Sequence, residues 1–87
     1  MLNIEILSKQ LEENGEVVFN YNGTTIAIWE TDQGDKNIRG EEYMNYMYNL
    51  YETETFEGIY DSEEYDGGLC EGYPKDAIEM ALYQVNN

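Results

Sequence analysis

The sequence has no histidine, one cysteine, one proline and only four Lys plus Arg against 19 Asp plus Glu in 87 residues. Each scarcity removes a class of chemistry. Without histidine there is no Ser–His or Cys–His nucleophile pair and no imidazole base. One cysteine cannot furnish a zinc site. Nor can Cys70 form an internal disulfide, which suits a reducing compartment. Four scattered cations make no basic stripe, so direct binding to nucleic acid is not expected. The phosphate-cradling patterns GxxxxGK[ST] and GxGxxG are absent. No apolar run approaches the ~18 residues of a membrane span. The start, Met1-Leu2-Asn3-Ile4-Glu5, lacks the basic and then apolar stretch of a signal peptide. The expected location is cytoplasmic.

What is present is acid and tyrosine. The formal net charge is -15, and there are nine Tyr against two Phe and one Trp. Such charge favours disorder, but an aromatic content of 14% is too high for a solvated tail. The apolar residues also fall into periodic blocks. The expectation is one compact domain, residues 1–87, with a thin core under self-repulsion.

Residues 3–14 carry Ile4, Leu7 and Leu11 at helical spacing, with Glu5, Lys9, Glu12 and Glu13 off the stripe. Asn3 is the expected N-cap, Leu2 and Leu7 a hydrophobic staple, and Asn14-Gly15 a left-handed stop. Two β-rich runs, 16–21 and 24–30, flank Asn22-Gly23, the signature of a two-residue type I′ turn. That turn sets Tyr21 opposite Thr24, Phe19 opposite Ile26 and Val17 opposite Ile28. Val17, Phe19, Tyr21, Ile26 and Ile28 then share the face expected against the helices. Val18, Asn20, Ala27 and Trp29 share the other.

Asp32–Asn37 reads as loop, and Asn37–Arg39 is too short to read as a third strand. Residues 41–52 fit two periods. As a helix, Tyr43, Met47, Leu50 and Tyr51 share a face, widened by Met44 and Tyr48. As a strand, Met44, Tyr46, Tyr48 and Leu50 alternate with Tyr43, Asn45, Met47 and Asn49. Glu41 and Glu42 suit a helix N-terminus, and helix is the reading taken. Residues 52–71 hold eight acidic residues and no basic one. Within them Thr53, Thr55, Phe56, Ile59 and Tyr60 hint at extended chain, Ser62–Tyr65 at a helical turn, and Asp66-Gly67-Gly68 at a turn. Pro74 at the first helical position and Asp76 in the first turn open a closing helix over 74–86. Its stripe is Ala77, Ile78, Ala81, Leu82 and Val85. The fold class is α+β: a small antiparallel sheet built on a β-hairpin, with helices packed on one face.

Few catalytic outfits remain. EF-hand spacing fails from Asp61, where Tyr65 and Asp66 take the fifth and sixth positions, and from Asp32, where Gly34 and Lys36 intrude. A carboxylate pair would need a cleft that so short a chain hardly affords. Glu71 and Asp66 would raise the pKa of Cys70, so a buried structural cysteine is expected rather than a nucleophile. No enzyme, metal or cofactor is expected.

The charge itself is the informative feature, because ~2–8 units suffice for the solubility of a small domain. Helical carboxylates at i, i+3 or i+4 lie ~5–6 Å apart, and alternate strand positions ~6.6 Å, near the ~7 Å between successive phosphates. Glu52, Glu54, Glu57, Asp61, Glu63, Glu64 and Asp66 could imitate such a line, with Tyr60 and Tyr65 as anchors. Tyr48 and Tyr51 also interleave the acids. Tyr43, Tyr51 and Tyr83 are assigned to the core.

A stand-alone, acidic, Tyr-rich domain without His or a catalytic motif resembles the small anti-defence proteins of phages and mobile elements. These include DNA-mimicking anti-CRISPR inhibitors and antirestriction proteins. The likeness lies in whole-chain charge and the 41–71 stretch, and it implies no particular fold. It implies an inhibitor acting in the cytoplasm of a bacterial host cell. Its partner would be a basic nucleic-acid-binding protein, the CRISPR effector or restriction nuclease complex whose DNA site it blocks. Two other readings stay open: an antitoxin or immunity protein for one nuclease, and an acidic structural or regulatory module. A homodimer would bury Val18 and Trp29.

Overall fold

A computed structural model describes residues 2–31, 45–53, 64–70 and 72–86. The order is α1 (Ile4–Asn14), β1 (Glu16–Tyr21), β2 (Thr24–Thr31), β3 (Asn45–Tyr51), β4 (Glu64–Cys70) and α2 (Pro74–Asn86). The strands form one antiparallel sheet in the order β1-β2-β3-β4.

Local chemistry sets the first three elements. The Asn3 side chain accepts a hydrogen bond from the Ile6 N–H at 3.1 Å, satisfying one orphan donor of α1. Gly15, at φ 77°, ends the helix and donates its N–H to the Leu11 carbonyl at 2.9 Å. Asn22 and Gly23 both have positive φ, 50° and 78°, as a type I′ turn requires. The hairpin register is the expected one, with Val17 opposite Ile28 and Phe19 opposite Ile26.

Both helices cover one face of the sheet. Val17 and Phe19 of β1, Ile26 and Ile28 of β2, and Tyr46, Tyr48 and Leu50 of β3 meet Leu11 of α1 and Ala77, Ile78 and Ala81 of α2. Leu2, Ile4, Leu7, Leu82 and Val85 pack at the margin. Full burial of a Leu or Ile contributes roughly 1.5–3 kcal/mol, and five such residues, Leu11, Ile26, Ile28, Leu50 and Ile78, anchor the core against the chain's own charge.

Two expectations fail in the middle of the chain. Residues 45–51 are strand, not helix. Tyr46, Tyr48 and Leu50 alternate inward, while Met47, Asn49 and Tyr51 are half-buried on the other face. β2 would otherwise be an unpaired hairpin edge, and the register Ile28↔Tyr48 and Ile26↔Leu50 extends the apolar face across a third strand. Glutamates before Tyr43 argued for a helix only locally, and pairing across the sheet outweighs a dipole worth under about 1 kcal/mol.

The second failure concerns Ser62–Tyr65 and Asp66-Gly67-Gly68. Glu64, Tyr65, Asp66, Gly67 and Gly68 are consecutive residues of β4 rather than a helical turn and a loop. The glycines serve close approach, not chain reversal. A Cβ on Gly67 would lie 2.9 Å from the Tyr48 carbonyl oxygen, and one on Gly68 would lie 3.0 Å from the Tyr48 hydroxyl. Tyr83 also leaves the expected core, since it is 64% exposed on α2. Its ring falls outside the stripe formed by Ala77, Ile78 and Ala81. The readings made for 32–44 and 54–63, including Tyr43, Met44 and the loop at Asp32–Asn37, lie outside the described residues.

Candidate functional site

Four of the nine expected contact residues fall within the described chain: Glu52, Glu64, Tyr65 and Asp66. Glu54, Glu57, Tyr60, Asp61 and Glu63 lie outside it. Glu52, Glu64 and Asp66 are all exposed. Sheet register brings the first two together, because Glu64 pairs with Tyr51, the residue before Glu52.

A β-bulge separates Glu64 from Asp66. Leu50 pairs with Asp66 and Tyr51 with Glu64, so Tyr65 is the extra residue on β4. The Glu64 carboxylate lies beside Gly67, 3.2 Å from where a Cβ would stand, and Asn49 Oδ1 is at the same place. Glu64 therefore sits on the sheet face turned away from the helices. Asp66 lies on the helix-facing side, where its charge acts on Tyr48. Its Oδ1 accepts the Gly67 N–H at 2.8 Å. These two carboxylates do not form a single row.

The carboxylates of the described residues are not confined to this edge. Glu5, Glu12, Glu13, Glu16, Glu30, Asp76 and Glu79 are exposed as well. Charge of one sign thus surrounds the helix layer and the β3–β4 edge. Among the described residues the ion pairs are Lys9–Glu13 at 4.0 Å and Lys75–Glu79 at 3.7 Å. Both are exposed i,i+4 helix pairs of the kind worth about 0.3–0.5 kcal/mol. Four cations could at most neutralise four of the 19 acids, leaving a surplus of 15.

The structure also shows a feature that the sequence marks only through Val18 and Trp29. On the far face Trp29 stands opposite Met47, and Met47 opposite Leu69, in one row across three strands. Val18, one row further on, is 39% exposed. The strand alternation of 45–51 was the signal for Met47, once the strand period is chosen over the helical one. Nearby, buried Thr25 has its hydroxyl fully engaged. It accepts from Asn20 Nδ2 at 3.0 Å and donates to the Thr53 carbonyl at 2.6 Å.

A shallow groove of about 330 Å³ between α1 and the start of α2 is lined by Glu5, Ser8, Lys9, Glu12, Tyr73, Pro74 and Lys75. Its serine hydroxyl donates to the Ile4 carbonyl at 2.8 Å. No cluster of metal-binding side chains occurs among the described residues. Their helices include none long and apolar enough to cross a membrane. Cys70 is buried at 2% exposure on the helix-facing side. Tyr48 beside it has its phenol held above the usual value of 10.0, first by burial, then by the charges of Asp66 and Cys70. No protein-family model matches the chain, and neither a curated protein nor a solved structure is similar enough to count as a match.

Proposed function

We propose that this protein is a non-catalytic acidic inhibitor. It binds the basic nucleic-acid site of a defence nuclease complex, a CRISPR effector or restriction enzyme, and its carboxylates stand in for DNA phosphates. The observation that carries the reading is the exposed, uncompensated acid: ten carboxylates among the described residues, all exposed, against two described lysines that each meet one glutamate. Nothing in the folding of so small a core calls for this charge, and long-range attraction to a cationic channel gives it a use. Glu52, Glu64, Tyr65 and Asp66 are the proposed contact residues that fall within the described chain, and Glu52 follows Tyr51, the residue that Glu64 opposes.

The spread of acid over the helix layer favours a second reading, an acidic module that recognises a basic protein without imitating a polynucleotide. Competition separates the two. The protein is to be captured on a DNA-cleaving complex and challenged with duplex DNA, then with about 0.5 M salt, where the Debye length falls to about 4 Å. Mimicry requires that DNA displace the protein and that salt weaken the complex. Binding that resists DNA but yields to salt supports the second reading. Binding indifferent to both overturns each of them.

A further inference from the structure

The two edges of the sheet are not built alike. β4 carries a bulge at Tyr65 and two consecutive glycines. β1 reads Glu-Val-Val-Phe-Asn-Tyr and pairs with β2 without a register shift. It has no proline, glycine or lysine to discourage a further strand. The turn at Asn22-Gly23 fixes which backbone groups β1 turns outward. Tyr21–Thr24, Phe19–Ile26 and Val17–Ile28 are the hydrogen-bonded pairs, so Val18 directs its N–H and C=O away from β2. The same alternation continues at Gly15, whose carbonyl accepts the Glu30 N–H at 2.9 Å. No described strand lies beyond β1. The edge is open there: Glu16, Val18 and Asn20 are exposed, Val18 by 39%.

The surroundings suit an apolar strand with a cation at one end. α1 packs against β1, while α2 packs against β2, β3 and β4. Glu5, Ser8 and Glu12 of α1 face the start of α2. Helical spacing puts Ile6 and Gln10 on the opposite flank, over the strip beyond β1. Ile6 is 54% exposed there. Acid gathers at one end of the strip. Glu16 opens β1, and the Glu30 carboxylate reaches Gly15, 3.3 Å from where a Cβ would stand. Neither carboxylate pairs with a described lysine. The C-terminus of α1 adds its negative dipole end, with no basic residue in the last turn. The other end offers Asn20, Tyr21 and Asn22, which carry no charge.

We infer that the open edge of β1 takes up an extended, cationic segment of the partner as a fifth, antiparallel strand. Val18 exchanges two backbone hydrogen bonds with the residue opposite, whose side chain packs beside Val18. The residues on either side of that one turn to the helix layer, beneath Ile6. A Lys or Arg ends the segment at Glu16, and antiparallel pairing makes that its C-terminal end.

A second copy of the chain fits less well in either direction. An antiparallel copy would stand about 4.8 Å away with its own α1 on the same face, and packed helices need about 8–10 Å. A parallel copy would set Glu16 beside Glu16 and bring another net charge of -15. A bare strand brings no helix, and a cationic one gains at the acidic end. This inference rests on the reading that the partner is basic, and it adds where and in what form that partner is held.

The probe is a capped peptide, Thr-Thr-Val-Val-Val-Lys, whose second valine is designed to oppose Val18. Binding to the whole chain is followed by NMR at about 10 mM salt, with hydrogen exchange read residue by residue. The Val18 amide should exchange more slowly as peptide is added, whereas the Phe19 amide, already bonded within the sheet, should not change. N-methylation of the second valine removes the donor to the Val18 carbonyl and should weaken binding at least about tenfold. Moving the lysine to the first position should weaken it about threefold at this salt. Proline is tolerated on an edge strand whose N–H faces outward, so Val18→Pro should keep its far-UV circular dichroism and lose the peptide. An N-methylated peptide that binds as its parent does, or a bound peptide that leaves Val18 exchange unmoved, would overturn the proposal. Because both readouts use the parent chain, they decide even where Val18→Pro does not fold. If oligolysine binds without protecting Val18, the edge is wrong and the preference for a basic partner stands. If a peptide ending in Glu protects Val18 as well as the one ending in Lys, the cationic occupant falls, and the support that this edge lends to a basic partner falls with it.

Discussion

The same four strands present two unlike faces. Towards the helices, Ile26, Ile28 and Leu50 are at or near zero exposure. On the far side, one residue along in each strand, Ala27, Trp29 and Met47 are only half-buried. Composition separates the faces in part, since the far one mixes Glu16, Asn20, Asn49 and Glu64 with its apolar residues. Two amphipathic helices cover the first side, while on the far side burial is confined to polar positions, Thr25, Thr31 and Asn45.

The comparison can be broken most sharply by truncation. Ile26→Ala removes a fully buried side chain beneath both helices and should cost about 2–5 kcal/mol in denaturant unfolding. Val18→Ala on the far face should cost well under about 1 kcal/mol. Equal losses would mean that the far face is as tightly packed as the covered one.

Next in size come the two glycines of β4, which lie on opposite faces. In Gly67→Ala the new methyl meets the Tyr48 backbone carbonyl at 2.9 Å, an atom that cannot step aside. A loss of about 1–3 kcal/mol is expected. In Gly68→Ala the methyl meets the Tyr48 ring and hydroxyl at 3.0–3.2 Å. A ring can tilt, so the loss should be smaller, and thermal unfolding of the pair would show the order.

Alkaline titration gives a finer contrast. The Tyr48 phenol is raised above 10.0 in the folded state, so above pH 10 the unfolded chain loses its proton first. Stability is then fully present below pH 10 and declines as pH rises through the folded value. Tyr48→Phe should flatten that decline in urea unfolding measured from about pH 9 upward. An unchanged slope would assign the alkaline loss to other groups. The smallest effect is at the N-cap, where Asn3→Ala should cost about 1 kcal/mol by removing the acceptor for Ile6.

The site was less legible than the hairpin. Asn22-Gly23 announces its own turn, because the conformation it needs is encoded in two adjacent residues. The stretch Tyr46–Leu50 announces nothing alone, since its apolar residues satisfy a helical and a strand period together. Its choice depends on the open edge of β2, which is more than a dozen residues away in sequence. Gly67 and Gly68 looked like a turn for the same reason: their partner is the backbone and ring of Tyr48, remote along the chain. Of the expected contact residues, Glu52, Glu64 and Asp66 are exposed. The division of Glu64 and Asp66 between two faces follows from a bulge at Tyr65 that no local pattern marks.

The sequence alone determined the charge, the lack of histidine chemistry, both helices, the caps of α1, and the register of one hairpin. Each of these follows from composition or from residues within one turn of each other. Only the tertiary structure decided that residues 45–51 and 64–70 complete the sheet, which carboxylates share a face, and that Trp29, Met47 and Leu69 align. Those outcomes depend on hydrogen bonding and burial between distant segments, and the free energy that selects them exists only once the segments meet.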